Sequence, residues 1–319
     1  MSDEITINNR TIKPGESGEI SLHVGRLPSG ARISIKTHVF NSEQPGPTML
    51  VLAGLHGDEI NGMEIVRRAL SGGLFEELVC GRVVVMPVLN VYGFINFSRE
   101  VPDGKDVNRS FPGNYRGSLA ARVARMLTKK VLPIIDFGVD FHTGGDNRFN
   151  FPQIRYSRRD DAAEECALQF AAPFIIEKPV IAKTLRKTAK TQGTPIIVFE
   201  GGEALRLDGF VIESALKGLR RLLHARGMLE QADEAHYVVS LKKTSWIRAS
   251  HAGIFIWSKK SGTKIQKGET LGAIFDPYGA TRIAVTATRD GYIIGHNNTP
   301  VVHQGDALFH LGYESEQVK

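Results

Sequence analysis

The chain has 319 residues, 42% hydrophobic and 23% charged, a length that predicts two domains and a balance that excludes disordered or collagen-like chains. Its apolar runs are too short to span a bilayer, and its two isolated cysteines, Cys80 and Cys166, exclude a disulfide scaffold or a cysteine-based zinc module. The net charge of +6 is spread over short clusters at residues 155–159, 183–190, 217–226 and 242–243 that hold a single aromatic, Tyr156, and lack the repeated aromatics of a single-strand binding platform, which reads as solvated faces with some attraction for small anions rather than a nucleic-acid surface. An acidic start without the basic-then-apolar order of a signal peptide, together with unpaired cysteines, predicts a cytoplasmic protein that binds neither nucleic acid nor membrane.

Residues 1–47 alternate polar and apolar, as in Ile20-Ser21-Leu22-His23-Val24, and predict antiparallel strands joined by Pro- and Gly-containing turns. At Thr48 the texture changes. Met49-Leu50-Val51-Leu52-Ala53 is a continuous apolar run, and a helix-period segment with Ile60, Met63, Ile65 and Val66 follows a Gly-bounded loop. Further buried strands are predicted over 83–88, 134–141 and 196–199, and helices over 118–130 and 209–226. Strands alternating with helices imply an α/β fold, a mixed, mostly parallel sheet flanked by helices. From about residue 233 the helical period disappears. Short alternating runs at 237–241, 253–257, 270–275, 283–286, 292–295 and 308–311, most of them separated by glycine, predict a C-terminal all-β, barrel-like domain. The expected divisions are 1–47, 48–232 and 233–319. A pattern Lys/Gln-Gly-Glu/Asp-x-Leu, starting at Lys267 and again at Gln304, forms a weak internal repeat.

No dinucleotide or phosphate-loop glycine pattern and no serine-hydrolase elbow is present. Ala53-Gly54-Leu55-His56-Gly57-Asp58-Glu59 instead follows a buried strand directly, and loops at the carboxyl ends of such strands are where α/β sheets bind ligands. His56 and Glu59, three apart in a turn, can reach one ion. His142 ends another predicted strand, so two imidazoles and one carboxylate leave a fourth position open, the composition of a catalytic zinc site. The flanking glycines are expected to let backbone approach the metal and the substrate. The competing reading of His56 and Glu59 is a surface loop with a helix-capping carboxylate. Asn108-Arg109 can hold a carboxylate by a guanidinium fork and an amide donor, and Arg99 can polarise a carbonyl oxygen; taken singly, each arginine also fits a solvated surface charge. Glu200, at the end of an apolar strand, can take a proton from an attacking water. Its rival, Glu203, is expected to start the next loop or helix.

Taken together, Gly-Leu-His-Gly-Asp-Glu, Asp-Val-Asn-Arg-Ser-Phe-Pro-Gly, Asp-Phe-His-Thr-Gly-Gly and Phe-Glu-Gly-Gly, in that order over about residues 48–226, resemble the succinylglutamate desuccinylase/aspartoacylase family of the zinc carboxypeptidase-like superfamily. The resemblance implies zinc, one ion per subunit, held by His56, Glu59 and His142. It further implies Glu200 as general base, Arg99 facing the scissile carbonyl, and Asn108 with Arg109 gripping a substrate carboxylate. The segment 100–105 lengthens the distance from Arg99 to Asp106 relative to shorter members. The N-terminal strands go beyond the minimal core and resemble longer bacterial members, some of which deacylate N-acetylated diamino acids. The β-rich tail resembles a biotinyl/lipoyl-like domain without the Met-Lys-Met of a modified hairpin, one that tends to crowd the active-site mouth. The remaining histidines, His251, His296, His303 and His310 among them, read as structural or surface residues. The sequence thus predicts a zinc-dependent amidohydrolase of a small anionic N-acyl amino acid. A zinc carboxypeptidase for short peptides is the alternative, and a non-catalytic binding protein of the same fold a distant one. A homo-oligomer is compatible with this reading.

Overall fold

A computed structural model describes residues 4–26, 29–235 and 238–318. The apolar run becomes the strand Thr48–Ala53, in which every residue is buried. Met49, Val51 and Ala53 join one core cluster, Leu50 and Leu52 another, so the strand is covered on both faces and needs no polar alternation. Helices Ile60–Ser71, Asp161–Phe170 and Gly209–Ala225 pack against the first face. Helices Leu119–Lys130 and Leu185–Thr191 and the N-terminal strands cover the second. Ser118 and Asp208 cap two of these helices by accepting the backbone N–H three residues on, which fixes where each begins.

The fold is mixed α/β, built on one twelve-stranded sheet. Its centre is parallel: Ile196–Glu203 lies beside Phe137–Gly144, then Thr48–Ala53, then Arg82–Met86. On one side the sheet continues antiparallel through Arg32–Asn41 and Ser17–Arg26. On the other, Arg148–Ser157 pairs antiparallel with Ile196–Glu203 and parallel with Phe174–Lys178. The parallel character is therefore that of the sheet's middle, and the flanks make the whole mixed rather than mostly parallel.

The strands expected as a C-terminal barrel divide between two sheets. Gly253–Trp257, Thr270–Phe275, Arg282–Thr286 and Val301–Val302 form a four-stranded sheet of their own. Val238–Arg248, Ala307–Val318, Gly291–Asn297 and Lys264–Ile265 instead extend the twelve-stranded sheet, starting parallel to Phe174–Lys178. Gly291–Asn297 also pairs with Arg148–Ser157, Gly295 opposite Asn150. A cluster from Ile247 to Leu311 gives these strands a local core, and Phe174, Ile176, Val239, Leu241, Tyr292 and Ile294 tie them to the rest. Tyr237, expected to open the first of them, lies outside the described residues. The weak repeat corresponds to two turns of one design. Gly268 and Gly305 both take positive φ, Glu269 and Asp306 accept from the N–H of Gln266 and His303, and Leu271 and Leu308 are fully buried beyond them.

Candidate active site

Glu59 occupies the N-cap position of Ile60–Ser71 but makes no side-chain cap bond. Its carboxylate turns inward, Oε1 2.7 Å from His56 Nδ1 and Oε2 2.7 Å from His142 Nδ1. This geometry decides against the helix-capping reading. All three side chains are buried, and their ligand atoms lie within 4.8 Å of one another. His142 sits on the buried strand Phe137–Gly144, where the two-residue period puts Asp140 on the same face. Asp140 Oδ2 lies 2.8 Å from His142 Nε2, and Asp106 Oδ1 lies 3.2 Å from His56 Nε2.

Each imidazole is therefore met by a carboxylate on both of its nitrogens. With Asp106 and Asp140 accepting the Nε2–H groups, both Nδ1 lone pairs and the Glu59 oxygens would be left to face a single cation. Burial opposes charge on both imidazoles, but Glu59 and Asp106 raise the pKa of His56, and Asp140 and Glu59 raise His142 well above its ordinary value. Burial likewise pushes Glu59 up, yet His56 and His142 hold it well below the usual carboxylate range. A two-His, one-carboxylate donor set oriented by second carboxylates fits a divalent cation of the zinc type.

A Cβ at Gly57 would meet the Gly93 backbone at 1.8 Å, so this glycine lets the loop that carries His56 and Glu59 pack on the helix Val91–Asn96. Asn90 caps that helix through the Gly93 N–H and donates to the Arg99 carbonyl, anchoring the return of the chain. Arg99 then reaches back: Nη2 and Nε donate to Asp106 Oδ2 at 2.9 and 3.1 Å, and Nη1 stands 3.2 Å from His56 Nδ1.

His56, Glu59, His142, Arg99, Asn108, Arg109 and Glu200 all line one cavity of about 290 Å³. Glu200 is the direct neighbour of His142 in the parallel register of their strands. Its Oε1 accepts from Arg155 Nη1 at 2.7 Å and its Oε2 from Asn150 Nδ2 at 2.9 Å. Glu203, the last residue of the same strand rather than the start of a new element, is buried and accepts instead from Asn298. Asn108 Oδ1 accepts the Leu185 N–H at 2.9 Å, which leaves its amide N–H₂ free to donate, and Arg109 Nη1 donates to the Asn108 carbonyl.

The structure adds residues that the sequence reading passed over. Asp140 and Asp106 orient the two imidazoles; a D-x-H pair on a strand was the signal for the first. Arg155 and Arg186, read as members of solvated clusters, line the cavity. Among the described residues Arg186 donates only to the carbonyls of Tyr156 and Pro179, and burial with Arg155 beside it brings its pKa down to about 10. Trp246 also lines the cavity, stacked on buried His310 with ring centroids 4.4 Å apart.

Known proteins are similar to this chain in sequence and fold. The succinylglutamate desuccinylase/aspartoacylase catalytic-domain model matches residues 45–226. The N-alpha-acetyl-L-2,4-diaminobutyric acid deacetylase of Halomonas elongata is 29% identical over 280 residues, 82% of this chain and 81% of that protein. The product-bound ectoine utilization protein EutE (DoeB) of Ruegeria pomeroyi superposes with a TM-score of 0.82 at 25% identity, covering 93% of this chain and 94% of that one. A succinylglutamate desuccinylase/aspartoacylase of Rhodobacter sphaeroides has the same fold, with a TM-score of 0.82 at 24% identity over 93% of this chain and 95% of that one. No described helix is long and apolar enough to cross a membrane. With the match spanning the strands and loops that carry every residue of the cavity cluster just described up to Glu200, the chain belongs to the succinylglutamate desuccinylase/aspartoacylase family, a family of deacylases.

Proposed function

We propose that the protein is a zinc-dependent amidohydrolase that removes the acyl group from a small, anionic N-acyl amino acid. The observation that carries this reading is the meeting, in one cavity, of a cation-type donor set, a carboxylate held by two donors, and guanidiniums without a carboxylate partner. Zinc, held by His56, Glu59 and His142, supplies Lewis acidity and a more acidic water when bound. Glu200 takes the proton of the attacking water and returns it to the departing amine nitrogen, while Arg155 and Asn150 keep its carboxylate in one orientation. Arg99 donates to the oxygen on which negative charge develops. Arg109 and the Asn108 amide hold the substrate carboxylate, and Arg186 offers a second guanidinium to an anionic group.

The small cavity, with Trp246 and Ile181 in its wall, favours this reading over a carboxypeptidase, whose substrate chain must extend outward. A hydrolysis screen of N-acetyl, N-succinyl and N-formyl amino acids beside tri- and tetrapeptides, with and without added zinc, tests it. Zinc-stimulated release of small acyl groups is expected. Equal or faster turnover of the peptides would replace the amidohydrolase by the carboxypeptidase, and no turnover of either class would favour the binding protein.

A further inference from the structure

The strand Arg148–Ser157 stands between two cavities. Arg148 and Asn150 line the catalytic one, whereas Phe149 and Phe151, on the opposite face, line a second of about 490 Å³. Phe210, Trp257, Lys260, Ser261, His296 and Asn298 complete the second cavity, and no residue lines both. Its volume lies within the roughly 300–1,000 Å³ typical of small-ligand pockets.

Five of the side chains that line it carry rings, Phe149, Phe151, Phe210, Trp257 and His296, and these contact one another in pairs. Phe151 and Phe210 have centroids 5.5 Å apart, Phe149 and His296 5.3 Å, Trp257 and His296 4.6 Å. Phe210 and Trp257 remain 57% and 39% exposed, an unusual fate for two large aromatics beside an open cavity. The polar atoms of the wall answer one another. Ser261 Oγ lies 2.7 Å from His296 Nδ1, Trp257 Nε1 donates to Asn298 Oδ1 at 2.9 Å, and Asn298 donates in turn to Glu203. Burial draws the pKa of His296 down to about 4, so its imidazole is neutral and serves as one more flat wall. The one cationic side chain lining the cavity is Lys260, exposed and in no ion pair among the described residues; its neighbour Lys259 is taken by Glu269.

We propose that this cavity is a second binding site, separate from the hydrolytic one, for a small molecule with a flat aromatic ring and a carboxylate, the ring lying among Phe151, Phe210 and Trp257 and the carboxylate at Lys260. Aromatic faces on several sides select a planar ring over an aliphatic one of equal size. A single unpaired ammonium at the rim selects an anion over its neutral amide, by the modest factor an exposed charge pair supplies.

The test is a titration of the intact protein with 2-naphthoate, 2-naphthamide and cyclohexanecarboxylate, read by calorimetry. Saturable binding of 2-naphthoate with a Kd below about 1 mM is expected, with both other compounds weaker. Phe210→Ser should weaken it about tenfold through the lost ring contact. Lys260→Gln, at an exposed position that folding does not depend on, should weaken it about threefold to fivefold and erase the preference over 2-naphthamide. Three outcomes overturn the site: no saturation, binding unchanged in both variants, or binding displaced by N-acetyl amino acids, which would place the probe in the catalytic cavity. A concentration-dependent dimer that Phe210→Ser abolishes would give the face to a second copy of the chain and equally overturn the proposal.

Discussion

The two sides of the catalytic cavity answer their charges differently. On one side the His56, Glu59 and His142 side chains are nearly inaccessible, and each imidazole is met on both nitrogens by a carboxylate. On the other, Arg109 and Arg186 are met, among the described residues, by main-chain carbonyls alone. A carbonyl dipole holds a guanidinium in place without neutralising it. The first side is thus a negative cage that calls for a cation, and the second an array of fixed positive charge that calls for an anion. A charge left over after every partner has been counted tells the sign of the missing ligand.

The strongest way to break the cage is Glu59→Gln, which removes a proposed ligand atom and the negative charge shared by both imidazoles. Turnover should fall by about 10⁴-fold or more, and metal per chain, measured by elemental analysis, should drop with it. Unchanged metal content would remove Glu59 from the donor set. Glu200→Gln separates chemistry from metal. A loss in kcat of roughly 10²–10⁴-fold is expected at full metal occupancy, while Glu203→Gln, tied to Asn298, should stay close to wild type. The reverse pattern would mean that Glu203 is the base.

Asp140→Asn probes the cage from outside. It leaves the ligands in place but weakens the hydrogen bond that orients His142, so metal affinity, measured by chelator competition, should fall about 10–100-fold. Arg109→Ala attacks the opposite wall. KM for an N-acyl amino acid should rise about tenfold or more, with kcat changed less, because the contact is shared by ground and transition states. A kcat loss with unaltered KM would instead place Arg109 at the reacting atoms.

The smallest effect lies away from both walls. His296, drawn to about 4 mainly by burial and only partly opposed by Asn298, is neutral in the fold and takes up a proton more readily when unfolded. Its contribution is complete above about pH 6.5 and is lost as pH falls through 4, so stability rises with pH across that window. Lys260 and Asn298 face it, and Glu203 beyond Asn298 is the nearest carboxylate in that network. Thermal unfolding should shift downward by a few degrees between about pH 6.5 and 5, and the slope should flatten in His296→Gln.

Much of this was legible from sequence because strand ends announce themselves. A run buried on both faces reads as continuous apolar residues, so the residue just past it, whether His56, His142 or Glu200, is conspicuous by its polarity. The strand Arg148–Ser157 was not legible, for the opposite reason. It carries Pro152 and polar Asn150, Gln153 and Arg155 at positions that in an ordinary strand would be apolar, since one of its faces lines the cavity. The helix Leu185–Thr191 hid in a run of cations, and nothing in their spacing distinguishes Arg186, which turns inward, from its exposed neighbours Lys183 and Lys187. Asp106 is likewise set by the path of a loop rather than by any period.

The pairing of Glu200 with His142 has a consequence for how errors in assembly are penalised. The separation of these two side chains comes from the backbone hydrogen bonds of adjacent strands, about 4.8 Å apart, not from any contact between them. Sliding Ile196–Glu203 by one residue so that Gly201 takes the place beside His142 would drive the Glu200 carboxylate into the slot of Phe199 among Phe141 and Phe170, at a cost of several kcal/mol for an unpaired buried charge. A misaligned strand would therefore lose the proposed base and core stability in one step, so the register that places Glu200 beside His142 is the same register that keeps the strand folded.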